Sequence, residues 1–303
     1  MKYLYLLFFL GIFISSYSQE DPLYAQYINN PIVINPAYTG LTNNLNASAS
    51  YRKQWAGFEG NPTTINANVH MSLSDNKMGL GVLFVQDKVG ANKNTEAYAT
   101  YAYRLDLGSS YLSFGLQAGF INFGSNDGLN PYDPSDPAFN LTNVIEPSMG
   151  AGIILNNERY FIGLSVPRML NATTKLSDSG PDQFETVLYD QHYYASMAYI
   201  FFLSERVRLK PSVLLKAVQG APLSIDYNAS FTIDEKYTAG IFLRNQNAFG
   251  TLLQLRFAEA YRIAYALEVP FENSVGTQFT THEITIGLST AILGFHKTAI
   301  SNF

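Results

Sequence analysis

With no cysteine in the chain, zinc chemistry would fall to His70, His192, His282 and His296, and no two of these lie within four residues of each other. A zinc pair is therefore not legible. Asp127, Asp133, Asp136 and Glu146, with Asn126 and Asn130, offer the oxygens that Ca²⁺ wants, but their spacing lacks the sixth-position glycine and terminal glutamate of an EF-hand. A solvated acidic loop fits them better. Gly287-Leu288-Ser289-Thr290-Ala291 half resembles a nucleophile elbow, yet that motif needs a strand-to-helix turn and Ser289 falls within or at the end of a strand. No glycine loop ends in Lys-Ser or Lys-Thr, and no GxGxxG occurs. These residues predict no catalytic group, no metal site and no cofactor. What does line up is positive charge: Arg206, Arg208, Lys210 and Lys216 share one parity with Ser212, opposite Val207, Leu209, Val213 and Leu215.

Such a row needs a strand to carry it, and period two runs through most of the chain. From Thr63 to Ser74 the odd positions include Ile65, Ala67, Val69, Met71 and Leu73, and the even ones Asn66, Asn68, His70 and Ser72. Before it, Leu45, Ala47, Ala49, Tyr51 and Trp55 alternate with Asn46, Ser48, Ser50, Arg52 and Gln54, and Lys53 alone breaks the pattern. A lipid-facing lysine costs about 2 to 4 kcal/mol at the bilayer midplane but only about 0 to 1 near the interface, so a place at a strand end is tolerable. Fourteen such strands can be placed, at 45–55, 63–73, 78–86, 95–105, 111–121, 148–155, 159–166, 193–203, 207–217, 223–233, 237–244, 250–257, 261–269 and 282–290. Tight turns such as 75–77, 156–158, 204–206, 234–236 and 258–260 alternate with links that include 122–147 and 167–192. An even strand count with short turns on one rim and long loops on the other predicts an all-β fold, a transmembrane antiparallel up-and-down β-barrel of about 14 strands.

Composition agrees. Of 303 residues 47% are hydrophobic and 14% aromatic, but only 14% are charged, against roughly 25% in a soluble domain. Net charge −5 argues against nucleic acid as a partner. The one long apolar run, 3–14, is too short for a membrane-spanning helix. Preceded by Lys2 and followed by Ser16-Tyr17-Ser18, it reads as a signal peptide cleaved after Ser18. The expected organisation is a signal peptide at 1–18, an irregular strap or plug at 19–44, the barrel at 45–290 and a tail at 291–303, in a cell outer membrane.

The irregular stretch carries Asp21-Pro22, Tyr24, Gln26-Tyr27, Asn30-Pro31 and Ile34-Asn35-Pro36-Ala37-Tyr38-Thr39-Gly40. After the first strand begins come Tyr51-Arg52-Lys53-Gln54-Trp55-Ala56-Gly57-Phe58-Glu59-Gly60-Asn61-Pro62. Together they resemble the opening of the PorP/SprF family of outer-membrane proteins. Gly115-Leu116-Gln117-Ala118-Gly119, Gly163-Leu164-Ser165-Val166-Pro167, His192-Tyr193-Tyr194, Lys210-Pro211-Ser212 and Gly220-Ala221-Pro222 extend the likeness over nearly the whole mature chain. The resemblance implies a barrel of the type IX secretion and gliding-motility apparatus, with other secretion components as partners. It also implies a link to large secreted surface proteins, adhesins among them, that carry a C-terminal sorting domain.

Asn35, Pro36, Ala37, Tyr38 and Gly40, with Arg52, Gln54, Trp55 and Gly57, are the family-motif residues to follow. Pro31 and Pro36 each remove a ladder donor and Gly40 permits positive φ, so the path is irregular. Irregular backbone at membrane depth must be satisfied by protein or water, which favours an inward-folded plug over a periplasmic strap. Arg52 is expected to line the lumen and pair with a carboxylate such as Asp226 or Glu268 rather than clamp the strap. Trp55 is expected to anchor the barrel at the membrane rim. The expected function is non-enzymatic: docking or anchoring a secreted surface protein through its sorting domain, with outer-membrane lipid around the barrel. Tyr132, Phe139, Phe184 and Tyr189 of the long loops would supply contact surface. The competing readings are a channel for small solutes using the cationic strand and, more remotely, a barrel hydrolase using Ser289.

Overall fold

The computed structural model describes residues 27, 30–125, 142–170, 172–175, 185–219, 221–245, 247–271 and 276–296. The expected signal peptide, most of the strap before Asn30 and the end of the tail lie outside these residues. Seventeen strands are described: β1 Leu45–Lys53, β2 Thr63–Leu73, β3 Met78–Val89, β4 Asn92–Asp106, β5 Tyr111–Ser125, β6 Thr142–Asn156, β7 Tyr160–Val166, β8 Ala172–Lys175, β9 Glu185–Tyr189, β10 His192–Tyr199, β11 Phe201–Phe202, β12 Val207–Val218, β13 Ser224–Ile233, β14 Tyr237–Arg244, β15 Ala248–Phe257, β16 Tyr261–Pro270 and β17 Thr281–Thr290. β10 and β11 both pair with β12 and form one staircase step broken at Ile200, whose N–H donates to Arg159. β7 pairs with β6 and, across the separate β8–β9 hairpin, with β10; the other strands pair antiparallel with their sequence neighbours, and β1 pairs with β17 to close a fourteen-strand barrel.

Alternation in the sequence becomes two surfaces. On β2 the side chains of Thr64, Asn66, Asn68, His70 and Ser72 are buried in the lumen, while Ile65 and Val69 are exposed on the outside. The outer face is apolar because only hydrocarbon-compatible side chains can stand there, and it ends in an aromatic girdle. Tyr103, Tyr199, Phe201, Tyr237, Phe257 and Tyr261 all lie outward beside the tight turns. Tyr199 and Phe201 sit 4.7 Å apart between ring centres, and Phe257 and Tyr261 5.7 Å.

The turn rim carries the short connections, in which Asp75, Asn76, Asp234, Glu235, Ala258 and Glu259 adopt positive φ. The opposite rim carries the long links, but not uniformly: β3 joins β4 through Gly90-Ala91 alone, and 245–247 join β14 to β15. β3, β4, β5 and β6 run longer than expected, to Val89, from Asn92, to Ser125 and from Thr142 rather than 148, so what read as loop, both ends of the 122–147 link included, is continued ladder. β1 stops at Lys53, two residues early, because Trp55 takes φ +51° and turns the chain.

Candidate functional site

Residues 30–44 lie inside the barrel, and their backbone polar groups are met from its wall. Two 3₁₀ turns, Pro31–Val33 and Pro36–Tyr38, each begin on proline, where the missing N–H is not needed. Asn35 links strap and wall: its Oδ1 accepts from the Ala37 N–H at 2.9 Å while its Nδ2 donates to the carbonyls of Ile153 and Leu164 at 3.3 and 3.2 Å. Ser113 donates to the Ala37 carbonyl at 2.7 Å and Ser165 to that of Ile34 at 2.6 Å. The Gly40 N–H donates to His70 Nδ1 at 3.0 Å, and Arg104 donates to the Gly40 carbonyl and Asn43 Oδ1 at 2.6 and 2.7 Å. Ile32, Ala37, Tyr38 and Leu41 pack with Ile154 and Phe161 in one buried cluster.

Wall glycines make this seat. A Cβ at Gly115 would stand 2.0 Å from the Ala37 nitrogen, and one at Gly79 would stand 2.1 Å from the Thr39 carbonyl oxygen. No side chain fits at either distance. Gly40 itself has φ +70°, which its lack of Cβ permits. The strap descends the lumen: Tyr27 packs with Ile34 and Leu214, Asn30 bonds Asn66 and Asn68 at mid-height, and Asn44 donates to Ser289 Oγ near the turn rim.

Above the strap, toward the long-link rim, charges cross the lumen. Arg52, 1% exposed, lies 3.7 Å from Glu268 and 3.9 Å from Glu283, and donates to Gln54 Oε1 at 2.8 Å. Arg244 pairs with Glu268 at 2.7 Å and Asp226 at 3.3 Å. Arg168 forks onto both oxygens of Glu96 at 3.0 and 2.7 Å. Burial by itself would lower the Arg168 pKa, but the Glu96 carboxylate outweighs it and holds the guanidinium above its ordinary value. Arg52 and Gln54 thus belong to the outer ion lattice, and the residues that grip the strap are His70, Arg104, Ser113 and Ser165. Alternation along β2 put His70 on the polar face but could not show that a segment far away in sequence would lie against it, with Arg104, Ser113 and Ser165 beside it. Trp55 sits in the β1–β2 link, 6.4 Å from Phe58, which meets Phe279 edge-on at 5.5 Å; Gly57, φ +94°, lies beside Phe279.

The cationic row of β12 does not act as one field. Arg206 is exposed in the turn before β12 and pairs with Asp234, and Arg208 pairs with Glu235. Both acids sit in the β13–β14 turn, and only Lys210 and Lys216 of the row stand deeper in the lumen. Below the strap a chamber of about 940 Å³ is bordered by the turns at 234–236 and 258–260, with Tyr38, Asn44, His70, Arg256 and Arg262 on its walls. Ser289 lies within β17 and its hydroxyl accepts from Asn44, so the strand-to-helix turn of a nucleophile elbow is not what holds it. Among the described residues no three His, Asp or Glu converge as metal ligands. Tyr132, Phe139 and Phe184, together with Asp127, Asp133 and Asp136, lie outside the described residues, and Tyr189 ends β9.

The sequence profile described as type IX secretion system membrane protein PorP/SprF matches residues 16–288. No curated protein matches the sequence. Among solved structures, the P. putida toluene transporter TodX is similar at a TM-score of 0.52 and 8% identity over 87% of this chain and 94% of that one. The CymD monoaromatic hydrocarbon channel is similar at 0.51 and 9% identity over 91% and 95%. At such identity these likenesses bear on the fold alone, that of an outer-membrane barrel.

Proposed function

We propose, from the premise that this chain belongs to the type IX secretion system membrane protein family PorP/SprF, that its barrel docks a secreted surface protein at the outer membrane. The contact would be made through the C-terminal sorting domain of that protein, with other secretion components as neighbours, and the barrel itself would carry out no reaction. The observation that carries the reading is the strap: residues 30–44 occupy the lumen with their hydrogen bonds met by the wall, and the ion lattice of Arg52, Arg244, Glu268 and Glu283 stands above them. A lumen filled in this way suits a fixed anchor better than a conduit for small solutes. The links of the outer rim, including the segment that holds the β8–β9 hairpin, are then the surface on which a partner can be read. The aromatic loop residues Tyr132, Phe139, Phe184 and Tyr189 would serve there as anchors.

Affinity capture of the full-length barrel from detergent extracts is expected to recover a large secreted protein ending in a sorting domain. A strain lacking the barrel is expected to lose that protein from its surface. Capture of none, with secretion intact in the deletion strain, would overturn the proposal. Single-channel recording separates it from the channel reading: a steady open state of the intact barrel favours transport, and silence favours docking.

A further inference from the structure

Lys53 breaks the alternation of β1, and the register gives it company. Across the outer end of the barrel His282 of β17 stands opposite Lys53, Lys53 opposite Thr63 of β2, Thr63 opposite Lys88 of β3, and Lys88 opposite Lys93 of β4. All five fall on the outward parity of their strands, the parity of the exposed Ile284, Tyr51, Ile65, Phe84 and Tyr101. Lys53, Lys88 and Lys93 are exposed, and they are the only Lys, Arg, Asp or Glu on that parity among the described residues of the barrel strands. Lys88 and Lys93 are direct cross-strand neighbours, an arrangement of like charges that gains from an added anion. His282 is engaged by Tyr265 and Thr280 at 2.6 and 2.9 Å, so the exposed charge of the row is carried by the three lysines.

On the same strands, four residues or about 13 Å further along the tilted strand toward the membrane centre, the outer wall is hollowed. A trough of about 990 Å³ is lined by Ala47, Ala49, Ala67, Ala97, Ala99 and Ala118, with Val82 and Phe84 of β3 rising between the alanines of β2 and β4 and with Phe120 and Ile286 at its flanks. Cations at the headgroup level with an apolar trough beneath match the two ends of an anionic lipid in the outer leaflet. We propose that this face, from β17 through β1 to β5, binds a lipid with a phosphorylated headgroup. Its phosphate sits over Lys53, Lys88 and Lys93 and its acyl chains lie in the alanine trough. Charge complementarity commits the site to this occupant, since a neutral lipid or a partner's apolar segment would use the trough but bring no anion to the lysine row.

The test uses the full-length barrel in neutral detergent and native mass spectrometry. Three probes are offered: a bisphosphorylated lipid A-type glycolipid, the same glycolipid with its phosphates removed, and inorganic phosphate. The intact barrel is expected to retain the phosphorylated glycolipid at least tenfold better than the dephosphorylated one. Lys53→Gln/Lys88→Gln/Lys93→Gln is expected to abolish that preference, and the corresponding triple arginine variant to keep it. Ala49→Phe/Ala97→Phe, which fills the trough, is expected to weaken retention while leaving electrophoretic heat-modifiability unchanged. Equal retention of the two glycolipids would overturn the proposal. So would undiminished retention by the glutamine variant, displacement of the glycolipid by inorganic phosphate, or a lipid-free dimer that excludes all three probes.

Discussion

Arg104 shows how much one lumen side chain can carry. It donates to the Gly40 carbonyl and to Asn43 Oδ1, close to where the strap leaves the lumen. Hydrogen bonds from a charged donor are worth about 1.5 to 3 kcal/mol each in net terms. Arg104→Ala is therefore expected to loosen residues 38–44 first, seen as faster amide exchange there with β9–β17 unaffected. Arg244 is the second such residue, since it alone reaches both Asp226 and Glu268. Arg244→Met removes the ion-pair partner of buried Asp226 and leaves Glu268 only the longer contact with Arg52 at 3.7 Å, a loss of about 3 to 5 kcal/mol, measurable as a lower urea midpoint for unfolding from micelles. Arg206→Gln is expected to leave that midpoint where it is, because the Arg206–Asp234 pair is exposed at the turn rim, with Arg206 75% open. The parity of the sequence put Arg52 in the lumen and named Glu268 among its partners. It could not see that Arg206 and Arg208 would be neutralised by Asp234 and Glu235, because that contact depends on the next hairpin's turn reaching back across the rim.

Strands were the most legible elements, for a physical reason: lipid and water on opposite faces force alternation, and alternation is visible in one dimension. β2 and β14 have the limits read from the sequence, Thr63–Leu73 and Tyr237–Arg244. Where the reading fell short, at β3, β4, β5 and the start of β6, the strands continue past the regular alternation, which Asn92-Lys93-Asn94 and Asn122 interrupt and Val144-Ile145 blur. The outer face also sets how elements tolerate charge. Leu253, 59% exposed on β15, and Leu203, 57% exposed beside a turn, are equally bare but stand at different depths. Leu253→Arg is expected to cost about 2 to 4 kcal/mol and Leu203→Arg about 0 to 1, so only the first should fail to fold in equilibrium refolding into lipid vesicles. Equal losses would mean that Leu253 does not face hydrocarbon.

At the scale of the whole molecule, the strap was legible as irregular and its place was not. Two prolines and a glycine ruled out a strand, but the seat at Gly79 and Gly115 is written on β3 and β5, far along the chain, and only closure of the barrel brings it together. Removal of residues 30–44 is expected to convert a silent barrel into a conducting one in planar bilayers, since it joins the chamber beneath the strap to the lumen above. A deletion variant that stays silent would show that the ion lattice alone is enough to close the barrel.

The seam between β1 and β17 has a consequence in time. The strap precedes β1 and the ring is completed only by the last strand, so the occupant is synthesised first and its enclosure last. A seat without room for a single Cβ is easier to build around its tenant than to enter afterwards. Closing the seam and lodging the strap are then one event, and a variant that crowds the seat would reveal itself as a barrel that zips slowly rather than as one that leaks.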